Sequence, residues 1–318
     1  MSIVGVEKLV YGSADLAAGI KFHKDWGLDC TREDGDGADF ELDDGSVVEI
    51  RPAGDPALPP AVIDWAPWGH STVREAVWGV DKQSSLDQLV AVLSEDRDVS
   101  VDADGVAHTR DDFGYAIGLA VSRRKPVETP APNPNNIGHF SRFNEPALGS
   151  RREPPQPLAF SHLVYWLPDD PKPYRSFYMD KLGFRLTDEA TDGSVFLRAD
   201  GRTDHHNLFL QRSPDGYSGF QHVSYEFRDF DAVMMAGLAV EAEGWKTNVG
   251  PLRHNIGSSL SWYVWNPAGG VAEALTDQDQ ISEDWQPRLI DPGDPGFYGH
   301  TWVARKEHAG IRPAQWVD

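Results

Sequence analysis

Three residues in the second half of the sequence have side chains that bind divalent metal ions. His162 lies in the segment FSHLVYW, His222 in FQHVSYEF and Glu273 in VAEALTD, and each segment predicts a β-strand. Side chains alternate between the two faces of a strand, so neighbouring strands can bring these three to one concave surface. Two histidines and one carboxylate are the ligand set of open-site non-haem Fe(II) oxygenases, which keep coordination positions free for substrate and dioxygen.

A second chemical feature is the pair of adjacent histidines in GRTDHHNLFLQ, residues 201–211. If one strand includes both, His205 and His206 point to opposite faces. His206 would share its face with Leu208 and Leu210, whereas His205 would face outward. The alternation alone permits the opposite choice, so it does not decide which histidine lies inside.

An internal repeat indicates the elements that position these residues. The segment VEKLVYGSADLAAGIKFHKDWGLDC aligns with FSHLVYWLPDDPKPYRSFYMDKLGFRL, and each predicts a strand followed by an amphipathic helix. Alternating strand segments follow each helix. A second unit of the same order begins at STVREAVWGV in the first half and at FQHVSYEF in the second. The sequence therefore predicts an α+β fold of four βαβββ modules in two pairs.

The first half serves as an internal control for the metal hypothesis. The alignment places three residues of the first half opposite His162, His222 and Glu273, in that order: Lys8, Glu75 and Gly118. These three do not form the same ligand set. The repeat therefore predicts the fold twice and the metal site once, in the second half.

A Pro-rich, polar stretch from Arg123 to Pro157 separates the two halves and is typical of a linker. We therefore expect an N-terminal domain without a metal site at residues 1–122, the linker at 123–157, a catalytic domain at 158–277 and a tail at 278–318. The tail is expected to be irregular and to pack across the second domain.

Composition excludes several classes of protein. The net charge of −21 and the pI near 4.8 argue against binding to nucleic acid or to an anionic membrane surface, because both need clustered lysine and arginine. A single cysteine, Cys30, allows no disulfide within the chain and is expected to pack in the core. The sequence shows no signal peptide, and no apolar run approaches the ~20 residues that span a bilayer. A cytoplasmic protein is the expectation.

The second half resembles the type I extradiol ring-cleaving dioxygenases of the vicinal oxygen chelate superfamily. The most specific motif is GPLRHNIGSSLSWYVWNPAGGVAEALTD, residues 250–277, with an Arg-His pair, an aromatic strand, an Asn-Pro-x-Gly turn and a glutamate in the family's order. The segments FSHLVYW, HHNLFL and GFQHVSYEF also match, and the first half matches weakly. The resemblance implies two vicinal-oxygen-chelate domains, each made of two βαβββ modules that form an incomplete barrel-like sheet.

The resemblance also implies roles for individual residues. Fe(II), or less often Mn(II), would be held by His162, His222 and Glu273. His206, rather than His205, matches the acid/base histidine of the family. His254 and Tyr263 match two further residues that lie beside the reacting atoms in members of the family.

The implied reaction is extradiol (meta) ring cleavage of a catecholic substrate by dioxygen, as in aromatic-compound degradation. A neutral imidazole near its ordinary pKa of ~6.5 can accept a catechol proton and return it later. The implied partners are an aromatic diol and dioxygen, and a homo-oligomer is expected because family members are often multimers. An apolar aromatic substrate is favoured by the aromatic residues near the ligands in sequence: Trp166, Phe177, Trp262 and Trp265.

Two other functions remain open at this point. A metal-dependent isomerase or lyase of the same superfamily would use the same metal face but needs a fourth protein ligand, which the sequence does not reveal. A non-catalytic protein that sequesters an aromatic ligand would not need His206, His254 and Tyr263. The other histidines, among them His23, are expected at the surface.

Overall fold

The computed structural model describes residues 2–62, 69–130, 134–147, 155–294 and 299–304. The first half contains two modules of identical element order. The first consists of β1 (Ile3–Ser13), α1 (Leu16–Asp25), β2 (Asp29–Asp34), β3 (Gly37–Glu41) and β4 (Val47–Pro52). The second consists of β5 (Thr72–Val80), α2 (Gln83–Leu93), β6 (Ser100–Val101), β7 (Ala107–Arg110) and β8 (Ala116–Val121).

The second half repeats this order with two additions. Its first module consists of β9 (Ala159–Leu167), α3 (Lys172–Ser176) with a π-helical turn (Phe177–Lys181), β10 (Arg185–Ala190), β11 (Val195–Arg198) and β12 (Leu208–Arg212). Its second consists of β13 (Gly219–Glu226), α4 (Phe230–Ala242), β14 (Thr247–His254), β15 (Leu260–Trp265) and β16 (Val271–Thr276). The additions are β17 (Arg288–Ile290) and β18 (His300–Val303).

The two sheets have the same topology. The first has the strand order β2-β3-β4-β1-β5-β8-β7-β6. The second has the order β17-β10-β11-β12-β9-β13-β16-β15-β14-β18, which is the same arrangement with one strand added at each edge. The prediction of an α+β fold with four βαβββ modules is confirmed. The expectation of an irregular tail is wrong for Arg288–Ile290 and His300–Val303, because these residues form β17 and β18 and extend the sheet by hydrogen-bonding to its two edge strands, β10 and β14. Residues 295–298 and 305–318 of the tail lie outside the described residues.

The strand register confirms the alignment of the repeats. In the first sheet Val77 pairs with Gly118 in the parallel strands β5 and β8. In the second sheet Ser224 pairs with Glu273 in the parallel strands β13 and β16. Gly118 therefore occupies the place of Glu273, as the sequence alignment requires.

The helices cover one face of the second sheet, which leaves the other face for the site. Along β15, Trp262 and Val264 pack in the main core with buried residues of α4. The alternate residues Tyr263 and Trp265 belong to a separate apolar cluster on the opposite face. Trp262 and Phe177 therefore support the core rather than the site.

Three further expectations concern the linker, Cys30 and membrane-spanning helices. No helix or strand lies between β8 and β9 in the described parts of residues 123–157, although the domain boundaries themselves stay a prediction. Cys30 is exposed on β2, so its expected place in the core is wrong. Of the helices in the described residues, none has the length and apolar character that crossing a bilayer requires.

Gly237 in α4 tests the packing between this helix and the second sheet. A Cβ atom at this position would lie 2.2 Å from Cδ2 of Trp262. Alanine is favoured over glycine in a helix by about 1 kcal/mol, but forcing atoms into a packed core costs about 1–3 kcal/mol or more. We expect Gly237→Ala to lower the free energy of unfolding in a denaturant titration. A control, Leu238→Ala on the exposed side of α4, should change it by less than about 0.5 kcal/mol, and a stabilised Gly237→Ala protein would contradict the packing.

His23 predicts a specific dependence of stability on pH. Its side chain is fully buried, so its expected surface position is wrong, and Nδ1 contacts the Gly19 carbonyl oxygen at 2.8 Å. Burial lowers the pKa of His23 to about 4. The unfolded chain, with an ordinary pKa of ~6.5, binds more protons between these values, so stability is lost as pH falls through this window.

We expect the metal-free His23→Gln variant to lose less stability than the metal-free unsubstituted protein between pH 7 and pH 5. The difference in the free energy of unfolding should be roughly 2 kcal/mol, measured by denaturant titration at both pH values. Equal losses in the two proteins would show that His23 does not carry this dependence.

Candidate metal centre

The structure brings His162, His222 and Glu273 together, with ligand atoms that all lie within 4.8 Å of one another. Nε2 of His162 is 3.1 Å from Nε2 of His222 and 3.1 Å from Oε2 of Glu273. Nε2 of His222 is 3.3 Å from the same carboxylate oxygen. All three residues are buried, and Glu273 is 0% exposed. The central strands β9, β13 and β16 are neighbours in the sheet and each supplies one ligand.

The arrangement fits a metal ion better than it fits a hydrogen-bonded cluster. Neither carboxylate oxygen of Glu273 has a hydrogen-bond partner of acceptable geometry among the described residues, although Oε2 lies 3.1 and 3.3 Å from two histidine nitrogens. A buried carboxylate without partners is strongly disfavoured. With metal–ligand bonds of about 2.1 Å, ligand atoms at right angles lie about 3.0 Å apart, which is close to the observed spacing. The three residues therefore fit a divalent cation with open coordination positions.

The neighbours of His222 and Glu273 prepare these two residues as ligands. Nδ1 of His222 is hydrogen-bonded to the side-chain oxygen of Gln221, so the proton is held there and Nε2 keeps its lone pair. Burial lowers the pKa of His222 to about 4, which keeps the ring neutral. Burial would raise the pKa of Glu273, but the adjacent His162 and the other histidines hold it well below its usual value. A neutral imidazole and an ionised carboxylate are the protonation states that bind metal.

His206 lies beside the centre, and its neighbour His205 lies behind it. The rings of His206 and His162 are 4.2 Å apart between centroids. Both His205 and His206 precede β12, which begins at Leu208, so strand alternation does not govern them. His205 is 0% exposed, and the expectation that it faces outward is wrong. Burial and the proximity of His162 lower the pKa of His206 well below its ordinary value, so this ring is neutral and can accept a proton.

His254 and Tyr263 also lie at the centre. Nε2 of His254 is 2.8 Å from the Tyr263 hydroxyl and 3.8 Å from Oε1 of Glu273. The Tyr263 ring packs edge-on against His222, with centroids 5.3 Å apart. The antiparallel pairing of β15 with β16 explains this position, because Tyr263 is the register partner of Glu273. All six residues selected from the sequence are thus gathered in one place, and their roles stay proposals.

Two apolar clusters flank the ligands on this face of the sheet. One contains Val164, Phe196 and Phe209, and the two phenylalanine rings stack with centroids 3.9 Å apart. The other contains Trp166 and Trp265 together with Tyr263. Trp166 and Trp265 thus lie where the sequence suggested an apolar wall. Phe196 and Phe209, which the sequence reading missed, lie beside His206.

Sequence reasoning also missed the polar residues behind the centre. Asp188 contacts His205 and Arg288, and Gln278 contacts His206. A single aspartate on a strand and an arginine in a presumed irregular tail carry no pattern that links them. Only the position of β17 beside β10 brings Asp188 and Arg288 together.

Comparison with protein families shows which known proteins the second half is similar to. Residues 160–279 match the family described as the Glyoxalase/Bleomycin resistance protein/Dioxygenase superfamily. Among curated proteins, Metapyrocatechase 2 of Cupriavidus necator is 31% identical over 125 residues. That alignment covers 39% of this chain and 38% of the relative, so the chain matches well under half of the relative's length. The resemblance to this superfamily, expected from the sequence, is confirmed.

Solved structures match over almost the whole chain. BphC, described as a halotolerant catechol dioxygenase, is 15% identical with a TM-score of 0.72, and the match covers 98% of this chain and 97% of that one. The Mn(II)-bound glyoxalase from Novosphingobium aromaticivorans is 21% identical with a TM-score of 0.70, covering 93% and 90%. At these identities the matches show the fold alone, which is two sheets that each contain two βαβββ modules.

The geometry predicts that Glu273 is required for metal binding. Glu273→Gln keeps the shape of the side chain but removes its charge, so affinity for Fe(II) under anaerobic conditions should fall by at least about 100-fold. Isothermal titration would measure the affinity.

Glu226→Gln provides the matched control. Glu226 lies on β13, the strand that carries His222, but outside the ligand cluster. Its replacement should leave the affinity for Fe(II) within about 3-fold of the original. Unchanged affinity in Glu273→Gln would remove Glu273 from the proposed centre.

Proposed function

We propose that this chain, whose residues 160–279 match the Glyoxalase/Bleomycin resistance protein/Dioxygenase superfamily, is an extradiol dioxygenase that cleaves a catecholic ring next to its two hydroxyl groups. The observation that carries the proposal is the buried cluster of His162, His222 and Glu273 with His206 at its edge. Fe(II) is the proposed metal, with Mn(II) as the alternative. The product would be a yellow, ring-opened hydroxy-dienoate.

The three ligands support this function through their number and charge. A bound Fe(II) ion would supply Lewis acidity toward the diol and a redox link between the aromatic ring and dioxygen. Glu273 supplies one negative charge and the two neutral imidazoles supply none. A divalent ion held by these ligands would keep a net positive charge, and this charge would favour an ionised diol at neutral pH.

The proton of the diol has a nearby acceptor. Nε2 of His206 makes no hydrogen bond within the described structure, and burial keeps the ring neutral. We assign this atom as the general base that takes a hydroxyl proton and returns it in a later step. On the other side, the Tyr263 hydroxyl and His254 Nε2 can hold one proton between them.

The walls of the site favour an aromatic substrate. The stacked rings of Phe196 and Phe209 lie on the His206 side, and Trp166 with Trp265 lies on the Tyr263 side. Flat apolar walls match an aromatic ring and exclude water from the reacting atoms. The proposed partners are therefore a small aromatic diol and dioxygen.

The similarity to a Mn(II)-bound glyoxalase keeps a second function in view, a metal-dependent isomerase or lyase. Such an enzyme would work without dioxygen. Within the described residues, the metal-binding group has three members, and no fourth ligand joins it. Full activity with Zn(II) or Ni(II) in the absence of dioxygen would favour this second function.

Protein loaded anaerobically with Fe(II) should turn catechol or 2,3-dihydroxybiphenyl yellow when air is admitted. Oxygen uptake should equal product formed, because both oxygen atoms enter the product. His206→Phe should lower kcat by about 100-fold or more and leave diol binding intact under anaerobic conditions. A metal-loaded protein that gives neither colour nor oxygen uptake with a panel of catechols would refute the function.

A further inference from the structure

Both ring nitrogens of His205 are hydrogen-bonded, although this residue does not contact the metal ligands. Its Nδ1 lies 3.1 Å from Nδ1 of His206, and its Nε2 lies 3.0 Å from Oδ2 of Asp188. His205 and Asp188 are both 0% exposed. A buried histidine between a carboxylate and an acid/base histidine can determine where protons rest.

Arg288 holds Asp188 in its ionised form. The backbone N–H of Arg288 donates to Oδ1 of Asp188 at 2.9 Å, and its Nη2 donates to Oδ2 at 2.5 Å. Burial would raise the pKa of Asp188, but the hydrogen bonds from His205 and Arg288 lower it. Asp188 lies at a register shift in β10, where such an irregularity redirects a side chain.

The position of each proton follows from these hydrogen bonds. An ionised Asp188 only accepts hydrogen bonds, so Nε2 of His205 carries the proton. Arg288 already balances the charge of Asp188, and complete burial disfavours a second cation at His205. With the proton on Nε2, the neutral form of His205 has its lone pair on Nδ1. This lone pair accepts the Nδ1 proton of His206, which leaves Nε2 of His206 without a proton.

Gln278 is compatible with this arrangement when its oxygen faces His206. In the structure, Nε2 of Gln278 lies 3.1 Å from Nδ1 of His206 and 3.5 Å from the His206 carbonyl oxygen, and the Ser161 hydroxyl lies 3.2 Å from Oε1, so this arrangement requires the carboxamide to be turned over. The orientation of a carboxamide is inferred from its partners, and a serine hydroxyl can donate or accept. With the oxygen toward His206, Gln278 shares the same Nδ1 proton.

We propose that Arg288, Asp188 and His205 form a positioning chain that fixes the tautomer of His206 and keeps its Nε2 free to accept a proton from the aromatic diol. The inference rests on the proposed function in one respect, the identity of the proton donor. None of the three residues touches the substrate. The positioning chain also assigns a function to the C-terminal segment, because β17 in that segment supplies Arg288.

Asp188→Asn tests the chain with almost no change in shape. The backbone N–H of Arg288 is fixed by the sheet, whereas its partly exposed guanidinium can turn away from the Oδ2 position, so we expect the oxygen of the new side chain at Oδ1 and the NH₂ group facing His205. His205 must then accept at Nε2 and carry its proton on Nδ1. This reverses its hydrogen bond with His206 and places the His206 proton on Nε2, where the base is needed.

In the Fe(II) enzyme, Asp188→Asn should lower kcat by about 100-fold and leave KM for the diol within about 3-fold. Arg288→Lys keeps a cation beside Asp188 and should retain kcat within about 5-fold. Asp111→Asn changes a buried carboxylate of the first half and should leave kcat within about 2-fold. If Asp188 had only a structural role, Asp188→Asn would not lower kcat selectively while leaving KM almost unchanged.

Nitrogen NMR of histidine-labelled, Zn(II)-loaded protein gives a readout that does not depend on turnover. The His206 signals, identified by their loss in His206→Gln, should show a proton on Nδ1 in the unsubstituted protein and on Nε2 in Asp188→Asn. An unchanged tautomer together with an unchanged kcat would overturn the positioning chain. If Asp188→Asn does not fold, His205→Phe replaces it, and an unchanged kcat in that variant has the same meaning.

The two proposals fail in different ways. An unsubstituted Fe(II) protein that cleaves no diol would refute the dioxygenase function, and the NMR experiment would still test the chain. An active unsubstituted protein whose Asp188→Asn variant keeps full kcat would refute the chain alone.

Discussion

The second half of this protein is organised around one buried negative charge. Glu273 is completely buried, and neither of its oxygens has a hydrogen-bond partner of good geometry among the described residues. Protein structures rarely tolerate such a group unless a cation is present. The nearest nitrogen atoms belong to histidines, and burial keeps His222 neutral. A divalent ion is the simplest partner that satisfies the carboxylate and both imidazoles at once.

The duplicated fold shows that the sheet alone does not create a need for a metal ion. In the first half, Lys8 and Glu75 occupy the places of His162 and His222, and Gly118 occupies the place of Glu273. Glu75 is also buried, but His108 contacts it at 2.8 Å. Burial would lower the pKa of His108, but Glu75 and Asp102 raise it above its ordinary value, so Glu75 has a histidine partner of good geometry. The first half thus buries its carboxylate at the place of His222, not at that of Glu273, and pairs it with a histidine.

Much of this arrangement could be predicted from the sequence, because it follows from local periodicity. The repeat gave the four modules, and strand alternation placed His162, His222 and Glu273 on one face, as the structure has them. At the site, the error about His205 arises because the backbone there is not part of a strand. His205 and His206 precede β12, so alternation does not apply to them. Asp188 and Arg288 are brought together only by the pairing of β10 with β17, which is a contact between distant segments.

The positions of these errors have a common physical cause. A metal ligand on a central strand is fixed by the sheet itself, so its sequence pattern carries the information. A proton-transfer residue must also have a defined tautomer, and a tautomer is set by whatever contacts the far side of the ring. For His206 that contact is His205, supported by Asp188 and by Arg288 from a strand at the edge of the sheet. The positions of the metal ligands are therefore encoded within the repeat, whereas control of the proton depends on β17, which has no counterpart in the described part of the first half.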